Sequence, residues 1–205
     1  MLKCRKSPDL RSAIRDALSR GEHLRITIDD LISLVRPPAG TAAPADLAGL
    51  VYDVGARWEA PLAVRGRRLV TAAGPDLPSG LAPPAAVRQI LDVLIGNALW
   101  HGEGTVTIEA YEASGGVAIE VSDEGPGLTA EPDELLAGSA GRPDGHGRGL
   151  PLARSLAAAV GGSLVVRPAA PRPVFSLLLP ATAGGRPAPA RTRAGHHPAG
   201  SASKR

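Results

Sequence analysis

The stretch "LDVLIGNALWHGEG", Leu91 to Gly104, combines the apolar spacing of a core helix with two polar residues and an abrupt glycine end. Its spacing predicts a helix from about Ala85 to Trp100. The apolar face of that helix consists of Val87, Ile90, Leu91, Leu94 and Ala98. Asn97 and His101 are four residues apart, so they share a different face with Val93. That face is either an exposed polar edge or one wall of a ligand site.

Two alternating strands follow this helix and end in an acidic turn rich in glycine. The segments "TVTIEAY" and "VAIEVSD" alternate apolar and polar residues, and "EASGG" between them is typical of a β-hairpin. In the second strand, Asp123 points the same way as the apolar Val121. A carboxylate on the apolar side needs hydrogen-bond donors, and the exocyclic amine of an adenine is one. Gly125 and Gly127 would let the backbone approach such a ligand; a turn aspartate that caps a loop is the alternative interpretation.

The glycine-rich stretch "GHGRGLPLARSLA" places Gly145, Gly147 and Gly149 directly before a predicted helix. Backbone N–H groups at a helix N-terminus suit phosphate oxygens. The stretch does not follow a strand, as a dinucleotide-binding fingerprint requires, and the Gly-Lys-Ser/Thr of a P-loop is absent from the sequence. The whole segment from Gly125 to Gly149 is predicted to be one long loop, of a length that usually has a functional reason.

Other segments supply further elements. We predict a helix from about Pro44 to Glu59, an edge strand in "RGRRLVTAAG", a loop in "PDLPSGLAPP", a helix in "LPLARSLAAAVGG", and strands in "SLVV" and "VFSLLLP". Residues 10–35 have the 4,3 spacing of a heptad seam, which predicts a long helix. That seam can pack on the rest of the chain or on a second copy, and its length favours a homodimer.

The composition is that of a soluble globular protein: of 205 residues, 43% are hydrophobic and 21% are charged. Aromatic residues are only 2%, so the core must be aliphatic. The net charge of +3 lies largely at the ends, and we expect no nucleic-acid partner. Cys4 is the only cysteine, which excludes an intramolecular disulfide. No apolar run approaches the ~20 residues of a membrane span, so we predict a cytoplasmic chain without a membrane segment.

The order and spacing of these motifs resemble the ATP-binding domain of the gyrase, heat-shock chaperone, histidine kinase and mismatch-repair superfamily. Within it, the chain most resembles a bacterial sensor histidine kinase. The resemblance implies an α+β fold, a two-layer α/β sandwich of the Bergerat type with a mixed sheet and helices on one face. It also implies three parts: a helix over 1–40 that resembles the second helix of a dimerisation and phosphoacceptor domain, an ATP-binding domain over 43–180, and a disordered basic tail over 181–205.

The resemblance assigns roles to residues that match its motifs. Asn97 would bind the Mg²⁺ that bridges the phosphates of ATP, and His101 would contact phosphate. Asp123 would accept the adenine amine, with Gly125 and Gly127 shaping that wall.

A second set of roles concerns the phosphates and the cover over the nucleotide. Residues 128–148 would form a mobile lid, with Leu135 or Leu136 where the family often has Phe. Four residues would cradle the phosphates through backbone amides: Gly145, Gly147, Gly149 and Leu150.

Five features differ from the pattern of the superfamily or of its histidine kinases. Val93 stands where hydrolysing members carry the Glu that activates water, so transfer to a protein side chain is favoured over hydrolysis. Trp100 replaces a Lys or Arg that reaches the terminal phosphate. Arg148 sits where an apolar residue is usual, and "RPVF" replaces a Gly-Thr pair before the last strand. His23 lacks the acid and Pro that follow an acceptor histidine, so we interpret it as a polar bundle position.

The predicted function is therefore the catalytic part of a two-component sensor histidine kinase. The chain would bind Mg-ATP and pass the γ-phosphoryl group to a His on another chain, with a response regulator downstream and a homodimer through residues 10–35. One alternative is a non-catalytic ATP-binding and dimerisation module that regulates a kinase. Another is a serine kinase of the anti-sigma-factor type, against which the N-terminal heptad helix argues.

Overall fold

The computed structural model describes residues 44–128, 130–137, 149–167 and 171–182. The predicted helix over 10–35, Arg148 and most of the tail lie outside these ranges, so the homodimer through residues 10–35 stays a prediction. No helix in the described ranges has the length and apolarity that a membrane crossing requires.

Five strands form one mixed sheet in the order β2-β4-β5-β7-β6. Their bounds are β2 Leu69–Ala73, β4 Val106–Ala113, β5 Gly116–Ser122, β6 Ser163–Arg167 and β7 Val174–Pro180. β2 pairs parallel with β4, whereas the remaining neighbours are antiparallel. The predicted hairpin is confirmed, because β4 and β5 pair up to Ala113 and Gly116 and turn at Ser114–Gly115. A second, two-stranded sheet consists of β1 Pro44–Ala45 and β3 Gly80–Leu81.

Four helices lie in the described ranges: α1 Leu47–Val64, α2 Pro84–His101, α3 Pro132–Ala137 and α4 Gly149–Ala159. Helices α1, α2 and α4 contact the sheet, and their apolar faces meet the alternate buried residues of the strands. On β4, for example, Val106, Ile108 and Ala110 are fully buried, while Glu109 on the opposite face is exposed. The structure is therefore the two-layer α/β sandwich that the sequence predicts, with an aliphatic core.

Helix α1 begins and ends at different residues from those predicted. Pro44 begins a strand rather than a helix, and α1 begins after Asp46, whose side chain accepts a hydrogen bond from Gly49 N–H over 2.9 Å. Helix α1 also continues past Glu59 and includes Pro61, although a proline inside a helix lacks the N–H that would bond the carbonyl four residues earlier.

Two predicted loops and the predicted tail contain regular structure. "PDLPSGLAPP" includes β3, and the segment from Gly125 to Gly149 includes α3. Helix α3 forms because Asp133 and Glu134 lie in its first turn and Leu136 is buried in the core. Directly after the predicted domain boundary at 180, Ala181 bridges Gly80 and Thr182 N–H donates to the Ser79 carbonyl over 3.0 Å.

The outer face of the sheet carries a polar cluster around Glu120. Its Oε1 accepts hydrogen bonds from the Tyr111 hydroxyl over 2.7 Å, from Ser176 Oγ over 2.9 Å and from the Arg167 guanidinium. The hydrogen bond to Glu120 and, second, partial burial raise the pKa of Tyr111 above its ordinary 10.0. Below pH 10 this bond therefore contributes fully to stability, and the contribution is lost as the pH rises through the raised pKa.

We expect Tyr111 to ionise at a higher pH in the folded chain than in the unfolded chain. The chain has two tyrosines, so a Tyr52→Phe variant reports Tyr111 alone by its phenolate absorbance. Glu120→Gln should bring the midpoint back towards 10.0, because the charged acceptor is gone. A folded-state midpoint no higher than that measured in denaturant would contradict the assigned hydrogen bond.

Candidate functional site

Helix α2 presents Asn97 and His101 together, as the sequence predicts. Asn97 is half-buried and His101 is exposed, while Val93, one turn earlier on the same face, is buried with 8% of its surface exposed. The helix ends at Gly102, whose N–H donates to the Ala98 carbonyl over 2.8 Å. The polar face is therefore a shallow wall backed by the core and not a fully solvated edge.

Asp123 is one of the few buried polar residues in the described ranges, with 4% of its surface exposed. Its Oδ1 accepts hydrogen bonds from the backbone N–H of Gly125 over 2.7 Å and of Glu103 over 3.3 Å. Both bonds fall on Oδ1, and the carboxylate carries a second oxygen, Oδ2. A buried carboxylate held by neutral backbone donors is a strong acceptor for a further donor.

The loop after α2 packs directly on this carboxylate. A Cβ at Gly102 would lie closer to the Asp123 carboxylate than real Cβ atoms approach, and one at Gly125 would lie 2.6 Å from Asp123 Oδ1. Glycine at both positions is thus required by the close approach of the two segments. Gly127, with a φ of 107°, continues this turn.

Helix α4 brings its N-terminus to the same face of α2. A Cβ on Gly149, the first residue of α4, would lie 3.2 Å from Val93 Cγ1. Gly149 and Leu150 are half-buried there, whereas Gly145 and Gly147 lie outside the described residues. The N–H groups of the first turn of α4, which have no partner within the helix, therefore open beside the Val93–Asn97 turn.

Trp100 follows Asn97 by three residues and packs its half-buried ring against the core. The Arg65 guanidinium, from the end of α1, lies 3.9 Å above the ring centroid. A positive charge is thus held over the position where the resemblance expects Lys or Arg, but it comes from another element.

The residues of the site could hold a magnesium ion together with the phosphates of a bound nucleotide, but not by protein ligands alone. Among the described residues, no three His, Cys, Asp or Glu side chains form a metal-binding group. Mg²⁺ in such sites is usually held by one or two protein oxygens, by substrate phosphates and by water. The Asn97 side chain makes no hydrogen bond within the described ranges, so its carbonyl oxygen can serve as that ligand.

Sequence-based prediction missed one residue of this region. Arg67 lies in the segment predicted only as an edge strand, yet its guanidinium contacts the loop after α2. The glycine between Arg65 and Arg67 could have indicated a helix C-terminus at this point, but not the contact itself.

Residues 82–183 match the family of histidine kinase-, DNA gyrase B- and HSP90-like ATPases. The chain is 32% identical over 130 residues to a probable sensor histidine kinase HK of Mycobacterium tuberculosis, covering 60% of this chain and 33% of that protein. It is 30% identical over 184 residues to the signal transduction histidine-protein kinase AfsQ2 of Streptomyces coelicolor, covering 84% and 34%. The chain thus spans about a third of the length of these curated relatives.

Solved structures agree with the relatives. Full-length ShkA in complex with AMPPNP superposes with a TM-score of 0.66 at 28% identity, over 89% of this chain and 41% of that one. The histidine kinase AdeS of Acinetobacter baumannii has the same fold, with a TM-score of 0.61 at 23% identity over 86% and 87% of the two chains. Residues 82–183 therefore form a domain of the histidine kinase-, DNA gyrase B- and HSP90-like ATPases, and the relatives that the chain matches are sensor histidine kinases of two-component signalling.

Proposed function

We propose that the chain binds Mg-ATP along α2 and transfers its γ-phosphoryl group to a histidine of another polypeptide. The observation that carries the proposal is the buried carboxylate of Asp123. Two backbone N–H groups donate hydrogen bonds to one of its oxygens, Oδ1. Its other oxygen accepts the exocyclic amine of adenine. A site built to pair a donor at a particular position discriminates strongly against bases that lack it there, which favours adenine over guanine, whose base has a carbonyl at that position.

The nucleotide lies along α2, with the base beside Asp123 at the Gly102 end and the phosphates along the face of Val93, Asn97 and His101. Nine residues separate Gly102 from Val93, which is about 13 Å along a helix axis at about 1.5 Å per residue. The N-terminus of α4 lies at the phosphate end, next to Val93. Its N–H groups and positive dipole end stabilise the phosphate oxygens.

The remaining phosphate contacts come from α2 and from the glycine-rich stretch. Asn97 contributes its carbonyl oxygen to Mg²⁺, which neutralises charge on the β- and γ-phosphates when bound. His101 contacts phosphate oxygens directly. Gly149 and Leu150 contribute N–H groups, as would Gly145 and Gly147, and residues 128–148 cover the bound nucleotide.

The acceptor is a protein side chain and not water. Val93 cannot abstract a proton from an attacking water, whereas an imidazole nitrogen carries its own lone pair and needs positioning and charge stabilisation. The acceptor histidine lies on another chain, and a response regulator takes the phosphoryl group afterwards. A dimer through residues 10–35 would bring the two parts together in the cytoplasm.

Trp100 favours a second candidate function, a module that binds ATP without using it and regulates a kinase. An indole cannot neutralise the charge that develops on the transferred phosphoryl group. The Arg65 guanidinium above its ring is part of a cation–π pair, which reduces its freedom to reach a phosphate. The two candidates share the nucleotide site and differ only in transfer.

Phosphoryl transfer is tested by incubating the full chain with Mg²⁺ and ATP labelled at the γ-phosphate, alone and with a kinase bundle that carries an intact acceptor histidine. We expect the bundle to become labelled, and Asn97→Ala to reduce the labelling at least about tenfold, since the bridging metal loses a ligand. Arg88→Ala is the matched control, because Arg88 lies on the same helix in a surface ion pair with Asp53 and should have no effect.

The two candidates give different results in this assay. If the wild-type chain binds ATP but the bundle is not labelled, phosphoryl transfer is rejected and the regulatory module becomes the supported function. Failure of wild-type chain to bind ATP in a separate calorimetric titration would exclude both.

A further inference from the structure

Arg67 is fixed by the end of α1, directly before β2. The turn between these elements is a helix C-cap in which Gly66 N–H donates to the Ala63 carbonyl over 2.8 Å and Arg67 N–H to the Leu62 carbonyl over 3.0 Å. Gly66 has the positive φ, 69°, that this motif requires. The Arg67 backbone is therefore held in place before its side chain makes any contact.

The Arg67 guanidinium donates hydrogen bonds to four backbone carbonyls at the end of α2. Nε donates to Gly104 over 2.9 Å and Nη2 to Glu103 over 2.9 Å, while Nη1 donates to Gly102 over 3.2 Å and also to Ala98. Carbonyls at a helix C-terminus carry the negative end of the helix dipole, which attracts a cation. A planar guanidinium with five N–H donors can bond all four carbonyls at once, whereas an ammonium has only three donors.

The loop that Arg67 holds is the same loop that holds Asp123. Glu103 donates its N–H to Asp123 Oδ1 and accepts at its carbonyl from Glu124 N–H over 2.9 Å. Thr105 N–H donates to Glu124 Oε2 over 2.8 Å, and this bond is the main reason why the pKa of Glu124 is lowered. Residues 103–105 are thus hydrogen-bonded to residues 123–124, and Arg67 is hydrogen-bonded to residues 102–104 of the same loop.

The direction of the pKa shift of Arg67 is consistent with this arrangement. Burial lowers the pKa of Arg67, while the nearby Asp123 carboxylate acts in the opposite direction. Arg67 lies before residues 82–183, the stretch that matches the ATPase family, so the contact joins a residue outside that stretch to the 102–104 loop inside it.

We infer that Arg67 is a positioning residue of the nucleotide site: it fixes the 102–104 loop so that Glu103 N–H holds Asp123 Oδ1 and Oδ2 faces the adenine amine. The inference rests on the proposed function, because it gives Arg67 a role in base recognition. A guanidinium that only stabilised the helix end would affect every ligand of the fold equally. A positioning residue affects the base that Asp123 recognises.

The test compares ATP with GTP, whose base offers a carbonyl where adenine offers its amine. Wild type, Arg67→Gln, Arg67→Lys and Arg68→Gln are titrated with each nucleotide in the presence of Mg²⁺. We expect Arg67→Gln to weaken ATP binding about tenfold and to leave GTP binding within about twofold, so that the preference for ATP falls. Arg68→Gln, the exposed neighbour, should behave as wild type.

Arg67→Lys distinguishes the effect of the positive charge from that of the guanidinium geometry. It also takes the place of Arg67→Gln in the test if that variant does not fold. It keeps the positive charge but cannot bridge four carbonyls, so the ATP preference should fall here as well. The inference is overturned if both folded variants keep the wild-type preference, or if ATP and GTP weaken equally. Either result is distinct from failure of the proposed function, in which wild type itself would show no preference for ATP and Asp123→Asn would change nothing.

Discussion

Replacing Asp123 by asparagine is expected to weaken ATP binding on the order of 100-fold, because a buried charged acceptor loses both its charge and its geometry. Asn cannot offer two carboxylate oxygens, and its amide nitrogen would face either the adenine amine or the N–H groups of Glu103 and Gly125. Isothermal titration with Mg-ATP measures the loss.

The matched control is Asp92→Asn on the opposite side of α2. Asp92 accepts hydrogen bonds from Trp58 Nε1 over 2.7 Å and Arg57 over 2.6 Å, so the variant disturbs packing between α1 and α2 without touching the proposed site. We expect its ATP affinity to stay within about twofold of wild type even where its melting temperature drops. An Asp123→Asn chain that is folded and binds ATP normally would remove Asp123 from the base site.

Periodicity made the two faces of the site predictable. Asn97 and His101 share a helical face at any tertiary arrangement, and Asp123 points with Val121 in any regular strand. The sheet confirms the second point, since Val117, Ile119 and Val121 are buried and Asp123 continues that face. These predictions depended only on local backbone geometry.

The donors that hold Asp123 were not predictable in the same way. Glu103 N–H lies 20 residues away in sequence, and a backbone N–H gives no sign in residue type. Arg67 reaches carbonyls 31 to 37 residues away, so its role depends on the path of β2 beside β4, whose parallel pairing no local pattern indicated. Arg65 over Trp100 is the same case, because the fold brings this cation to the tryptophan from another element and no local pattern indicated the contact.

Gly102→Ala is expected to weaken ATP binding about as strongly as Asp123→Asn, on the order of 100-fold, although it changes no polar atom. The added Cβ would overlap the Asp123 carboxylate and lie 2.7 Å from the Ala98 carbonyl, so either the loop or Asp123 must move. Gly102 has a φ of −90°, which alanine adopts freely, so the effect is steric and not conformational. Overpacking of this kind also costs about 1–3 kcal/mol of stability, which thermal unfolding measures beside the ATP titration.

Gly96→Ala is the control for this substitution, because it places the same methyl group on the same helix. Its Cβ would meet Trp58 Cη2 at 3.7 Å, an ordinary contact, and alanine is favoured over glycine inside a helix by about 0.5–1 kcal/mol. We therefore expect a slightly higher melting temperature and unchanged ATP affinity for Gly96→Ala. If Gly102→Ala also bound ATP as wild type does, the loop could move away from Asp123 without consequence. Neither the close packing at Gly102 nor the hold of Arg67 on that loop would then matter for recognition of the base.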